Sequence, residues 1–126
     1  MQKQPKKILA AVEDLFFTAK ITDAARRAGL SVEFVKDEKD LMDKAMDRKP
    51  TLIIFDLNFS AMRPLELIAK LKASVEMKSI SLIAYLSHVQ GELKQKAHET
   101  GCDMVLAKSA LSLNLPQILK RHADLS

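Results

Sequence analysis

Thr51-Leu52-Ile53-Ile54-Phe55-Asp56 and Gly101-Cys102-Asp103-Met104-Val105-Leu106-Ala107-Lys108 are the stretches that decide how this chain folds. Each contains a short apolar run closed by one charged side chain. Runs of this length, bounded by turn signals, read as strands buried on both faces, the pattern of a parallel sheet. Open α/β sheets place their sites beyond the carboxyl ends of the strands, where Asp56 and Lys108 fall. A carboxylate facing an ammonium at that edge suggests phosphate chemistry.

Working outward, the same alternation covers the chain. Ile8 to Val12 reads as a buried strand, and Phe17, Ile21, Ala24, Ala25 and Ala28 then share one helical face that stops at Gly29. Ser31 to Val35 is a second strand. Leu41, Met42, Ala45 and Met46 stripe a helix that Asp37 is placed to cap and that closes before Pro50. After the strand Leu52 to Phe55, Pro64 suits the first turn of a helix carrying Leu67, Ile68 and Leu71. Ile80 to Tyr85 returns as a strand, Val89 to Thr100 as a helix stopped by Gly101, and Met104 to Ala107 as the fifth strand. Asn114 and Pro116 are expected to start the last helix, around Ile118 and Leu119. Five strand-helix pairs in strict alternation imply an α/β fold, a parallel sheet with helices on both faces and right-handed crossovers.

Composition sets the outer limits. A chain of 126 residues is one domain, residues 1-126, long enough to bury a full core. The single Cys102 excludes an internal disulfide and a cysteine-rich zinc site, and its apolar neighbours favour a packed small hydrophobe in a reducing cytoplasm. Glu13 and Asp14 interrupt the first apolar run too early for an export signal, and no apolar stretch reaches bilayer-spanning length. The net charge of +4 comes from basic residues interleaved with acids, unlike a nucleic-acid-binding stripe, so no direct nucleic-acid contact is expected.

The ordered set of strand ends, from about Lys7 to Leu119, resembles the receiver domains of two-component response regulators in their stand-alone chemotaxis-regulator form. That resemblance implies a flavodoxin-like doubly wound (βα)5 sandwich with strand order 2-1-3-4-5. The run Pro50-x-x-x-x-x-Asp56-Leu57 is similar to the family's third strand and puts Asp56 at its phospho-acceptor. Gly101-Cys102-Asp103-x-x-Leu106-x-Lys108 is similar to its fifth-strand motif and puts Lys108 at its phosphate-contacting lysine. The resemblance further implies a histidine kinase or other signalling protein as partner, and no output domain lies in the chain to carry the effect.

The chemistry required at such a site can be stated independently. An aspartate attacks a phosphoryl group only if a cation offsets the charge repulsion, and magnesium with about six oxygen ligands is the usual one. Glu13 and Asp14 are the acids available beside Asp56, with the carbonyl of Asn58 two residues on. Lys108 would pair with a phosphate oxygen. The family carries two adjacent acids at the end of the first strand. Counting from Gly29 puts those positions at Val12 and Glu13, and counting from Asp56 puts them at Glu13 and Asp14; the first count removes one charged ligand and weakens magnesium.

Other positions depart from the family. The hydroxyl that ends its fourth strand is Leu86 here, and Ser87 reaches the site only through a bulge or an early end to the strand. The aromatic switch partner on the fifth strand is Val105. Arg63-Pro64 stands where the family has Asp-Gly; the Arg63 guanidinium could lean over the Asp56 pocket, but a solvated loop arginine is the plainer reading. Ser109 replaces the proline after the lysine, which predicts a trans Lys108-Ser109 bond.

Competing chemistries lack their residues. His88, His98 and His122 show no paired metal-ligand spacing, and Gly29, Gly91 and Gly101 form no phosphate-cradling loop. A flavin protein of similar topology would meet repulsion from Glu13 and Asp14. Two functions remain: a phosphorelay receiver with Asp56 as acceptor in a degenerate site, or a phosphorylation-independent pseudo-receiver acting as an interaction module. The face around Lys94, Lys96 and the last helix is the contact surface that the family analogy implies.

Overall fold

The structure is a computed structural model that describes residues 6–87 and 91–124. Five strands alternate with five α-helices: β1 (Lys7–Ala11), α1 (Leu15–Arg27), β2 (Ser31–Phe34), α2 (Glu38–Arg48), β3 (Leu52–Asp56), α3 (Pro64–Ala73), β4 (Ser81–Leu86), α4 (Gly91–Glu99), β5 (Met104–Ala107) and α5 (Lys108–Asp124). A short 3-10 turn, Ser60–Met62, leads into α3. All strand pairs are parallel and the order is β2-β1-β3-β4-β5, as the family resemblance implied.

Strand alternation divides the core in two. Leu9, Ile53, Phe55, Leu82, Ala84, Leu86 and Val105 face α2, α3 and α4. Ile8, Ala10, Ile54, Ile83 and Tyr85 face α1 and α5, where Phe17, Ile21, Leu111, Leu115 and Leu119 complete the layer. Burying a large apolar side chain of this kind contributes roughly 1.5–3 kcal/mol. Every residue of β3 is buried, which explains why that run carries no polar residue before Asp56.

Local signals account for most boundaries. Asp37 caps α2 by accepting from the Asp40 amide at 2.7 Å, as expected. Gly101, two residues past the end of α4, sits at φ 108°, and a Cβ there would meet the Lys72 side chain at 2.9 Å, so both backbone and space demand glycine. Cys102 is buried and free, with its thiol against the carbonyls of Leu82 and Met104. At the edge of the sheet, Glu33 on β2 pairs with Lys7 at 3.5 Å and Arg48 at 3.1 Å.

The last helix departs from the sequence reading. It starts at Lys108, directly after β5, and runs unbroken through Pro116. Leu111, Leu115, Leu119 and His122 form a buried stripe along it, and this helical spacing outweighs the start signal of Asn114 and Pro116. No helix among the described residues is long and apolar enough to cross a membrane.

Candidate functional site

The carboxyl ends of β1, β3, β4 and β5 bring the sequence-selected residues to one edge of the sheet. Asp56, last in β3, follows the phase of Leu52 and Ile54, so its carboxylate turns toward α1 and α5. It is 7% exposed and accepts from the Asn58 amide at 2.9 Å. The Asn58 side chain in turn accepts from the Ser87 amide at 2.9 Å, which ties the loop after β3 to the end of β4.

Lys108 does reach this edge, but its partner is Asp14. Asp14 also caps α1, accepting from the amides of Phe16 at 2.9 Å and Phe17 at 3.4 Å. The bond from Lys108 is the main cause holding the Asp14 carboxyl below its usual range; partial burial opposes it, and the two amides add to it. The Lys108 ammonium also sits 5.6 Å from the centre of the Phe17 ring. The charge that would balance a phosphoryl group on Asp56 is thus already bound to a carboxylate.

The remaining acids are spread out. Val12 is buried in the α1/α5-side core, and Glu13 is exposed. Among the described residues no three acid, histidine or thiol side chains converge into a metal-binding group. Glu13, Asp14 and Asp56 therefore fit a magnesium ion poorly as arranged, because the acid nearest Lys108 is spent on an ion pair and a helix cap.

Leu86, at the hydroxyl position, is buried and faces α3 and α4, away from Asp56. Val105 fills that same layer. β4 ends at Leu86, so Ser87 lies just beyond the strand, exposed, beside Ala107 and Lys108 in a groove between α1 and α5. Of the two readings of Arg63, the solvated loop arginine is the one found. Its side chain is 68% exposed and pairs with Glu66 at 3.5 Å, and its backbone takes φ 49° just ahead of α3. The described residues contain no cis peptide, so the bond from Lys108 to Ser109 is trans, as predicted. His88 lies outside the described residues, and His122 is a core histidine bonded to the Ile118 carbonyl at 2.8 Å.

Tyr85 is the residue that sequence reading missed. It pairs in register with Asp56 across β3 and β4 and so shares its face. The side chain is 1% exposed, its ring 4.7 Å from that of Phe17. Its hydroxyl is buried and makes no hydrogen bond of full geometry, yet it lies close enough to Asp56 that burial first, and this carboxylate second, hold the phenol far above its usual range. The signal was present: a tyrosine one residue from a strand end, in step with Asp56, is unlike its aliphatic neighbours. Asp103, also passed over, accepts from the Leu82 amide at 2.7 Å and pairs with Lys72 at 3.0 Å, locking the start of β4 to β5.

No protein-family model matches the chain, and no curated protein does. Solved structures do. The chemotaxis response regulator CheY4 of Vibrio cholerae is 22% identical, with a TM-score of 0.79 over 94% of this chain and 99% of that one. The phosphorylated cyanobacterial phytochrome response regulator RcpA is 21% identical, with a TM-score of 0.77 over 94% and 91%. The manganese-bound response regulator Rcp1 is 17% identical, with a TM-score of 0.75 over 93% and 91%. The chain has the flavodoxin-like fold of response regulator receiver domains.

Proposed function

We propose that this chain is a receiver-fold signalling module that acts through protein contacts without a magnesium-dependent phosphoryl cycle at Asp56. The observation that carries this reading is the Lys108–Asp14 pair. A receiver-type reaction needs the lysine free for phosphate and the acid free for metal, and here each satisfies the other. Leu86 and Val105, both turned into the α3/α4-side core, support it by leaving no hydroxyl-to-aromatic relay. Partners are histidine kinases or other signalling proteins, and the exposed residues Lys94 and Lys96 mark the contact face that the analogy favours.

A second reading, a phosphorelay receiver with Asp56 as acceptor, draws on the retention of an acid at the end of the central strand with Asn58 two residues on. In that reading Asp56, Glu13 and Asn58 bind magnesium once Asp14 releases Lys108. The manganese in Rcp1 speaks for a divalent ion in that protein.

Intact mass after incubation with phosphoramidate and magnesium, beside an Asp56→Asn variant, separates the two. The module reading expects no mass gain and no magnesium-dependent change in Tyr85 fluorescence. A labile gain of one phosphoryl group, absent from the variant, overturns it in favour of the receiver.

A further inference from the structure

The open groove between α1 and α5 at the carboxyl edge has a volume of about 810 Å³, inside the range of roughly 300–1,000 Å³ typical of small-molecule sites. Asp56 does not line it. Buried Phe17 forms its floor, and Phe16 on α1 and Leu113 on α5 stand on either side, 89% and 81% exposed. A phenylalanine and a leucine so exposed beside a concave surface are apolar area that no described residue covers.

The charge in the groove has one sign. Among the described residues Lys20 and Lys108 line it, and no Asp or Glu does. Lys108 is answered by Asp14 from outside the groove. Lys20 reaches across to the Ser112 hydroxyl, and among the described residues it has no carboxylate partner. Its ammonium therefore carries a charge with no carboxylate against it, donating to the Ser112 hydroxyl beside the Phe17 ring that lines the groove. Apolar walls with one convergent cation and a few hydroxyls select a ligand with an apolar body and a single anionic head.

We propose that this groove binds an amphipathic organic anion, its aromatic or acyl body lying on Phe17 between Phe16 and Leu113 and its carboxylate accepting from Lys20 and the serine hydroxyls of α5. The assignment does not depend on what Asp56 does, so the mass experiment above and the test below fail separately.

The test is an amide-shift titration of the full chain with naphthalene-2-carboxylate, beside naphthalene-2-methanol and 2-naphthylmethylammonium as neutral and cationic bodies of the same shape. Saturable shifts are expected at the residues of α1 and α5 that line the groove, with a dissociation constant on the order of 0.1–1 mM for a fragment of this size. The neutral body should bind about threefold to fivefold more weakly, as loss of one exposed charge contact gives. Lys20→Glu should weaken the anion by at least that factor, and Leu113→Asp should abolish saturation. Both side chains are exposed, so unchanged shifts elsewhere will show that the variants stay folded, and Lys39→Glu on α2 should change nothing. Equal binding of all three bodies, shifts scattered over other faces, no binding of any body, or indifference to Lys20→Glu overturns the proposal.

Discussion

Lys108 and Asp14, 94 positions apart in the sequence, meet as an ion pair that joins the first residue of α5 to the cap of α1. One carboxylate thereby receives an ammonium and two backbone amides. The pair lies beside Phe17, whose ring the same ammonium overlooks. The pair links the start of α5 to the start of α1.

The folded Asp14 carboxyl titrates below its ordinary value of 3.8, so on acidification the unfolded chain takes up the proton first. The stabilisation is complete above that ordinary value and is lost as pH falls through the lower folded one. Asp14→Asn keeps a capping side chain but loses the charge. It should be less stable than the parent at neutral pH in urea unfolding, with the difference closing below about pH 4. A difference that stays constant down to pH 3 would sink the ion-pair account.

Tyr85→Phe should be neutral, or stabilising by up to ~1 kcal/mol, because it removes a buried hydroxyl that lacks a bond of full geometry. The ring remains against Phe17 and the packing is kept. Urea midpoints decide the matter: a loss above ~1 kcal/mol would show that the hydroxyl is held by a partner.

Leu86→Thr restores the residue type expected of the family at that position, yet it should not create phosphoryl capture. Leu86 faces the α3/α4 layer, so the new hydroxyl enters an apolar core and costs about 2–4 kcal/mol. Thermal unfolding and intact mass on one sample test both halves, and a variant that gains phosphate would mean that the end of β4 turns the other way.

Pro116 is exposed and sits inside α5, where it can donate no bond to the Ser112 carbonyl. Pro116→Ala should therefore raise stability by ~1–3 kcal/mol. A neutral or harmful effect would point to a bend in α5 that the proline ring supports.

Asp56 and Lys108 could be placed from sequence because buried parallel strands announce themselves as unbroken apolar runs, and the residue that ends each run must lie at the sheet edge. The helix starting at Asp37 was legible for a similar reason: capping is a local interaction between residues close in the chain. The Lys108–Asp14 pair was not, since it depends on which side chains two distant strand ends bring together; Tyr85 stood out in its apolar run, but that it faces Asp56 depends on the β3–β4 register. The start of α5 was misread because a proline inside a helix looks like a proline at its first turn until the leucine stripe is traced back to Leu111.

The charged triad at β2 has a bearing on solubility. Glu33, with Lys7 and Arg48 beside it, sits on the outermost strand, whose residues are all only half-buried. An incoming strand from another molecule would have to strip water from three charges to extend the sheet there, so this border resists the edge-to-edge pairing that begins aggregation.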